Sequence, residues 1–186
     1  VAVRGSNTPS MADPENVKEK ARWVAENPDL LLPMGRSFNV FKNTGTAGVL
    51  LTLDALGILP TRNFTEGTFD CAEDISGEKM VETILVNRHT CFGCAVMCKR
   101  NVKVDDPYKV DPKYGGPEYE TIAALGSNCG IGDLKAISKA NEICNMYGVD
   151  TISAGASISF AMECYEKGLI TEKDTEGIPL KFGNSD

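Results

Sequence analysis

Apolar residues along this chain recur mostly at the three-to-four-residue spacing of a helix, and turn residues mark where each run starts and stops. Asp13-Pro14 offers an N-cap followed by a proline at the first helical position. Val17, Ala21, Val24 and Ala25 then form one stripe, and Asn27-Pro28 ends the run. A second helix is predicted from about Thr46 to Leu56, stopped by Gly57 with Pro60 beyond. Ser76 caps a third, whose buried face is read as Met80, Val81, Ile84 and Leu85 before Asn87. The intervening Thr61 to Ile75 has turn residues and no period, so a long loop is expected.

Asn101 to Val104 alternates polar and β-branched residues, the pattern of a short strand, and Asp105 to Gly116 carries the prolines and glycines of a loop. Asp133 caps a helix with Leu134, Ile137, Ala140 and Cys144 on one face, and Gly148 sits where a left-handed cap belongs. Asp150 or Thr151 starts the next, which carries Ile152, Ala156, Phe160 and Met162 and ends at Gly168. Its run of small residues, Ser153 to Ser157, allows another backbone or a flat ligand to come close. Phe182 to Asp186 reads as a turn and a helix N-cap. The fold class is therefore mainly α: a multihelical domain with long loops and at most short strands.

Composition narrows the function classes. At 186 residues and 42% hydrophobic, the chain can bury one core. A net charge of −7 opposes binding to nucleic-acid phosphates. No apolar run reaches the length of a membrane span, and Val1-Ala2-Val3-Arg4-Gly5 lacks the form of a signal peptide. Seven cysteines, an odd number, fit a reducing cytoplasm better than a disulfide framework.

The most telling local pattern is Cys91-Phe92-Gly93-Cys94-Ala95-Val96-Met97-Cys98, three cysteines spaced C-x2-C-x3-C. Thiolates this close can converge on one iron–sulfur centre, with Gly93 letting the backbone turn tightly. The motif supplies three ligands where a 4Fe–4S cluster takes four. A zinc site that also uses His89 is the rival reading, but zinc sites usually bring a second ligand pair from a distant segment, and His89 lies only two residues from Cys91. Plain thiols without metal are the third alternative. Lys99, Arg100 and Lys103 follow the motif, and positive charge there would offset an anionic cluster and raise its potential.

Several blocks in order resemble the middle domain of the tungsten-containing aldehyde ferredoxin oxidoreductases, tungstopterin and molybdopterin enzymes of archaea and anaerobic bacteria. They are Gly45-Thr46-Ala47-Gly48, Leu59-Pro60-Thr61-Arg62-Asn63-Phe64, the cysteine motif, and Gly116-Pro117-Glu118-Tyr119-Glu120-Thr121. The resemblance continues through Leu125-Gly126-Ser127-Asn128, Tyr147-Gly148-Val149-Asp150-Thr151-Ile152-Ser153 and Phe160-Ala161-Met162-Glu163. It implies a fragment of an enzyme that oxidises aldehydes to carboxylic acids with ferredoxin as electron acceptor. Residues 1–10 would be the tail of an N-terminal pterin domain, and residues 11–186 a helical middle domain cut short at its C-terminal end. A benzoyl-CoA-reductase-like member of the same family and a non-catalytic iron–sulfur or zinc-binding module are the alternatives.

The resemblance also assigns roles. Cys91, Cys94 and Cys98 would hold a 4Fe–4S cluster whose fourth cysteine comes from a later domain. Cys71, Cys129, Cys144 and Cys164 match no ligand and read as ordinary buried thiols. Asn145-Met146-Tyr147-Gly148-Val149-Asp150 resembles a pattern that holds the tungsten or molybdenum bis-pterin, with Asp150 accepting paired N–H groups from the pterin edge. Asn145 stands where the pattern has aspartate. A glycine-capped helix end followed by an N-cap explains the same residues without any ligand. Glu120 matches a glutamate beside the metal that handles protons. Apolar surface left for neighbouring domains would favour self-association.

Overall fold

The computed structural model describes residues 4–27, 29, 31–32 and 36–185. Pro28, Asp186 and residues 1–3, on which parts of the helix-end and tail expectations fall, lie outside them. Helix α1 spans Pro14–Glu26, with the Asp13 side chain accepting from Asn16 N–H, as the cap pattern requires. A two-residue ladder pairs β1 (Leu31–Leu32) with β2 (Arg36–Ser37), and α2 (Phe38–Thr44) follows. No periodic signal in the sequence marked α2. The run from Thr46 is a 3₁₀ turn over Thr46–Val49 that passes into α3 (Leu50–Ala55), so the expected single helix is broken at its start.

Ser76 does cap α4 (Gly77–Thr83), its hydroxyl accepting from Lys79 N–H. The helix stops before Leu85, however, and Leu85–His89 is strand β3. That corrects the reading of Leu85 as part of a helical face. Its partner is β4 (Lys99–Val102), antiparallel, with His89 opposite Lys99 and an irregularity between Leu85 and Asn87. The strand expected at Asn101 to Val104 is present but shifted two residues earlier, and Val104 forms an isolated bridge to Val110 instead. Helix α5 (Tyr119–Leu125) was hidden by its short length, whereas α6 (Leu134–Tyr147) and α7 (Thr151–Glu166) follow the caps at Asp133, Gly148 and Asp150.

The core is gathered from α3 to α6, from β4 and from the segments between them: Leu50 of α3, Leu59, Ile75, Met80 of α4, Val102 of β4, Ile122 of α5 and Ile137 of α6. Each such side chain, taken fully out of water, contributes about 1.5–3 kcal/mol. Of the apolar residues expected on α7, Met162 is buried and Ala156 half-buried, but Ile152 and Phe160 point outward, and Gly155 and Ser159 are buried in their stead. A Cβ on Gly155 would lie 2.4 Å from the Ala124 carbonyl carbon, so the two helices touch backbone to backbone. Helix α1 buries none of its residues, and Trp23 and Val17 are more than half exposed.

Candidate metal centre and cofactor corner

The cysteine motif is the loop of the β3–β4 hairpin. Gly93 has φ +70° with open space where a side chain would stand, and Met97 also turns with positive φ. Cys94 N–H donates to the Cys91 carbonyl, Val96 N–H lies 3.5 Å from Cys94 Sγ, and the Thr90 hydroxyl donates to the Cys94 carbonyl. Cys91 is exposed and Cys94 and Cys98 are half-buried. All three are free thiols on one surface turn, as their spacing requires. Burial raises the Cys98 pKa, and Glu118, Cys94 and Cys91 reinforce the effect, so the three thiols lie within electrostatic reach of one another.

The sulfurs are not drawn together: no group of three or more His, Cys, Asp or Glu among the described residues is arranged around a common metal position. The expected convergence is thus not present in this structure. Thiols do not attract one another, and the bonds that close the loop run mainly to backbone carbonyls and not to the sulfurs. As a donor set, three soft sulfur ligands on a turn open to solvent still fit an iron–sulfur cluster. His89, the last residue of β3, bonds to the Asn87 side chain.

Beneath the loop, the first motif blocks meet. Gly45 has φ +70°, and a Cβ there would be 2.9 Å from the Cys98 carbonyl oxygen and 3.3 Å from Arg100 Nε. Only glycine fits this position. The Thr46 hydroxyl donates to Glu118 and accepts from Tyr119 N–H at 2.9 Å, which ties the Gly45–Gly48 block to the start of α5. Burial holds the Glu118 carboxyl above its ordinary range; the Thr46 hydrogen bond opposes that, and the neighbouring Glu120 charge adds to it. Glu120, in the first turn of α5, is exposed. The two carboxylates therefore part ways on a helix instead of sharing the face of an extended segment.

Thr121 and Thr151 hydroxyls meet at 2.8 Å, and Ala124 meets Gly155 further along, so α5 and α7 run parallel with both N-termini at one end. Glu118 and Asp150, their N-cap residues, share that end. Asp150 is exposed, and its Oδ2 accepts from Ser153 N–H at 2.7 Å, a bond that holds its carboxyl below the usual range. The helix-cap reading of Asp150 is therefore realised, and a single oxygen, Oδ1, is left to meet a further donor. Gly148 forms the left-handed cap of α6 with open space around it, and Val149 is exposed. Asn145, exposed, turns its amide group back along α6, donating to Asn141 Oδ1 at 3.1 Å and to its carbonyl at 3.0 Å.

The remaining blocks close on one another behind α7. Arg62, Asn63 and Phe64 all have positive φ, a left-handed stretch held by Ser127 and Asn128 carbonyls and the Asn128 side chain. Asn128 in turn donates to Ser159 at 2.8 Å, and Asn63 donates to Glu163.

The family model for aldehyde ferredoxin oxidoreductase, domains 2 and 3, matches residues 17–186. The chain belongs to the aldehyde ferredoxin oxidoreductase family. Among curated proteins it is 36% identical over 194 residues to the tungsten-containing aldehyde ferredoxin oxidoreductase of Thermococcus kodakarensis, covering 100% of this chain and 30% of that protein. The protein of the same name from Pyrococcus abyssi is 36% identical over 193 residues with the same coverage. The aliphatic sulfonate oxidoreductase, WOR-like subunit, of Pyrococcus furiosus is 31% identical over 127 residues, 67% of this chain and 20% of that protein. The chain thus spans 30% of the length of the aldehyde ferredoxin oxidoreductases it matches.

Within this family member, sequence reasoning missed the structural parts of the site. Thr46 and Gly45 carry no chemical signature on their own, yet they seat Glu118 and Cys98. Arg100 was read with Lys99 and Lys103 as one basic run. The structure separates them: Arg100 is 4% exposed, while Lys99 is exposed and Lys103 pairs with Asp105 at the surface. Of the four remaining cysteines, Cys129 and Cys144 are buried and Cys71 and Cys164 half-buried; burial pushes the Cys129 thiol up to about 12.

Proposed function

We propose that this chain provides the cluster-binding loop and one pterin-facing corner of a tungstopterin, or molybdopterin, iron–sulfur oxidoreductase that converts aldehydes to carboxylic acids and delivers the electrons to ferredoxin. The observation that carries the reading is the hairpin loop with Cys91, Cys94 and Cys98 as free surface thiols, in a chain matched to the family over residues 17–186. Aldehyde as substrate is preferred to sulfonate because the relatives named for aldehyde match over the whole chain at higher identity.

Oxidising an aldehyde adds a water oxygen, removes an electron pair and releases protons. The bound metal-pterin would supply the two-electron chemistry and a 4Fe–4S cluster the one-electron relay. This chain's residues do the rest. The three thiolates ligate the cluster, and its fourth ligand comes from outside them. Asp150 Oδ1 and the open backbone at Gly148 and Val149 accept and approach the pterin edge, with Asn145 bracing the end of α6. Glu120, exposed at the start of α5, takes up and passes on protons.

Anaerobic purification of the holoenzyme, metal analysis and an aldehyde–dye assay test the proposal. Iron with broad visible absorption, tungsten or molybdenum, and aldehyde-dependent dye reduction are the expected results. A colourless protein with one zinc and no turnover would replace it with a zinc-binding module.

A further inference from the structure

The guanidinium of Arg100 is bonded to backbone alone. Nη1 donates to the Met97 and Lys99 carbonyls at 2.8 and 3.0 Å, and Nη2 to the Phe41 and Lys42 carbonyls at 2.9 and 2.8 Å. Nε has no partner and lies against Gly45, where any side chain would displace it or the Cys98 carbonyl. No carboxylate forms a salt bridge with this cation among the described residues. A desolvated cation that meets only neutral acceptors is costly unless an anion lies close by. Glu118 lies within electrostatic reach of this cation, but it accepts its hydrogen bond from the Thr46 hydroxyl and forms no ion pair with Arg100. The neighbouring thiolates would bring a second anion to the same end of the loop.

We propose that Arg100 is the positioning residue of the cysteine loop: it fastens the Cys98 end of the loop to the end of α2 and sets a fixed, buried positive charge that raises the reduction potential of the centre held there. The proposal rests on the iron–sulfur reading of that loop. The clamp half follows from the acceptors, since Met97 lies in the loop, whereas Phe41 and Lys42 belong to the last turn of α2, where the Phe41 carbonyl also accepts from Gly45 N–H. The charge half follows from burial. Lys99 and Lys103 are solvated and screened, whereas a charge removed from water acts through a lower effective dielectric and favours the more negative, reduced cluster. Capping α2 alone would cost stability without moving the potential.

The test compares Arg100→Gln, Arg100→Lys and Lys99→Gln holoenzymes in redox titrations followed by electron paramagnetic resonance, with iron release to a chelator measured alongside. At the parent midpoint, Arg100→Gln should lower the ratio of reduced to oxidised cluster at least tenfold, about 59 mV for one electron. Lys99→Gln should change it less than twofold. Arg100→Lys keeps the charge but cannot fork onto four carbonyls, so its ratio should stay within twofold of the parent while iron leaves at least tenfold faster.

An assembled Arg100→Gln centre with the parent's midpoint overturns the charge role, and parent-like iron release from Arg100→Lys overturns the clamp. If Arg100→Gln assembles no centre, Arg100→Lys decides both: a tenfold loss of reduced cluster despite the retained charge is equally fatal. A parent holoenzyme without an iron centre overturns the reading of the loop and this role together, whereas an assembled centre indifferent to Arg100 removes only the latter.

Discussion

Glu118 and Glu120 show how far two similar side chains can diverge when the backbone between them turns into a helix. Glu118 stands at the N-cap position of α5 with its side chain turned to Thr46 and no capping bond of its own, and Glu120 faces solvent one step into the first turn. Replacing Glu120 with Gln should leave metal content unchanged and lower kcat by about 10²–10⁴, the usual worth of a positioned proton-transfer group; equal turnover would remove it from the chemistry. Glu118 makes a stability prediction with a definite sign. Burial raises its pKa above the ordinary 4.5, so the folded state binds the proton more tightly than the unfolded one. Its neutral form is favourable at low pH, and stability is lost as pH rises through the raised value. Urea midpoints of Glu118→Gln should therefore exceed the parent's increasingly above pH 4.5 and run parallel to them below it. A difference that shrinks with rising pH would mean that burial does not dominate this carboxyl.

At the scale of elements, α7 is the instructive case. Its larger apolar residues, Ile152 and Phe160, invite a buried hydrophobic face, but the buried positions are Gly155, where α5 passes at backbone contact, Ser159, bonded to Asn128 and Asn63, and Met162. Close approach selects for small side chains, and hydrophobicity is then a poor guide to which face is inside. Gly155→Ala should destabilise the domain by about 1–3 kcal/mol in urea unfolding, the range for overpacking. Ile152→Ser, on the outward face, should stay within about 0.5 kcal/mol of the parent. The β3–β4 hairpin offers the complementary lesson. Leu85 continues the helical spacing of Met80, Val81 and Ile84, yet pairs with Val102 as a strand residue. Periodicity alone does not distinguish a helix that continues from one that stops a residue short of a strand.

For the molecule as a whole, the core and the cysteine loop are separable. The core runs through α3 to α6 and the lower part of the hairpin, while residues 91–98 contribute none of its side chains. Cys94→Ala should accordingly abolish iron binding and ferredoxin-linked turnover while leaving the unfolding midpoint of the metal-free protein within about 0.5 kcal/mol of the parent. Loss of the fold in that variant would show the loop to be part of the core after all. Considerable apolar surface remains outside: Val17 and Trp23 on α1, and Met146, Tyr147, Val149 and Ile152 around the α6–α7 corner that holds Asp150. No helix among the described residues is long and apolar enough to cross a membrane.

The sequence alone determined what depends on a few neighbouring residues. The caps at Asp13, Ser76, Asp133 and Asp150, the left-handed stop at Gly148 and the loop character of Thr61 to Ile75, apart from a 3₁₀ turn at Glu73–Ile75, are local hydrogen-bonding and backbone preferences, legible from adjacent side chains. The thiol spacing of Cys91, Cys94 and Cys98 is legible for the same reason. The fold decided everything that needs segments distant in the chain. It set α5 beside α7, sent Glu118 inward and Glu120 outward, broke the run at Leu85 into a strand, and buried Arg100 while leaving Lys99 and Lys103 in water. Burial belongs to no residue by itself. It is created when remote pieces of backbone close around a side chain, and at Arg100 those pieces are α2, Gly45 and the cysteine loop, which only the tertiary structure brings together.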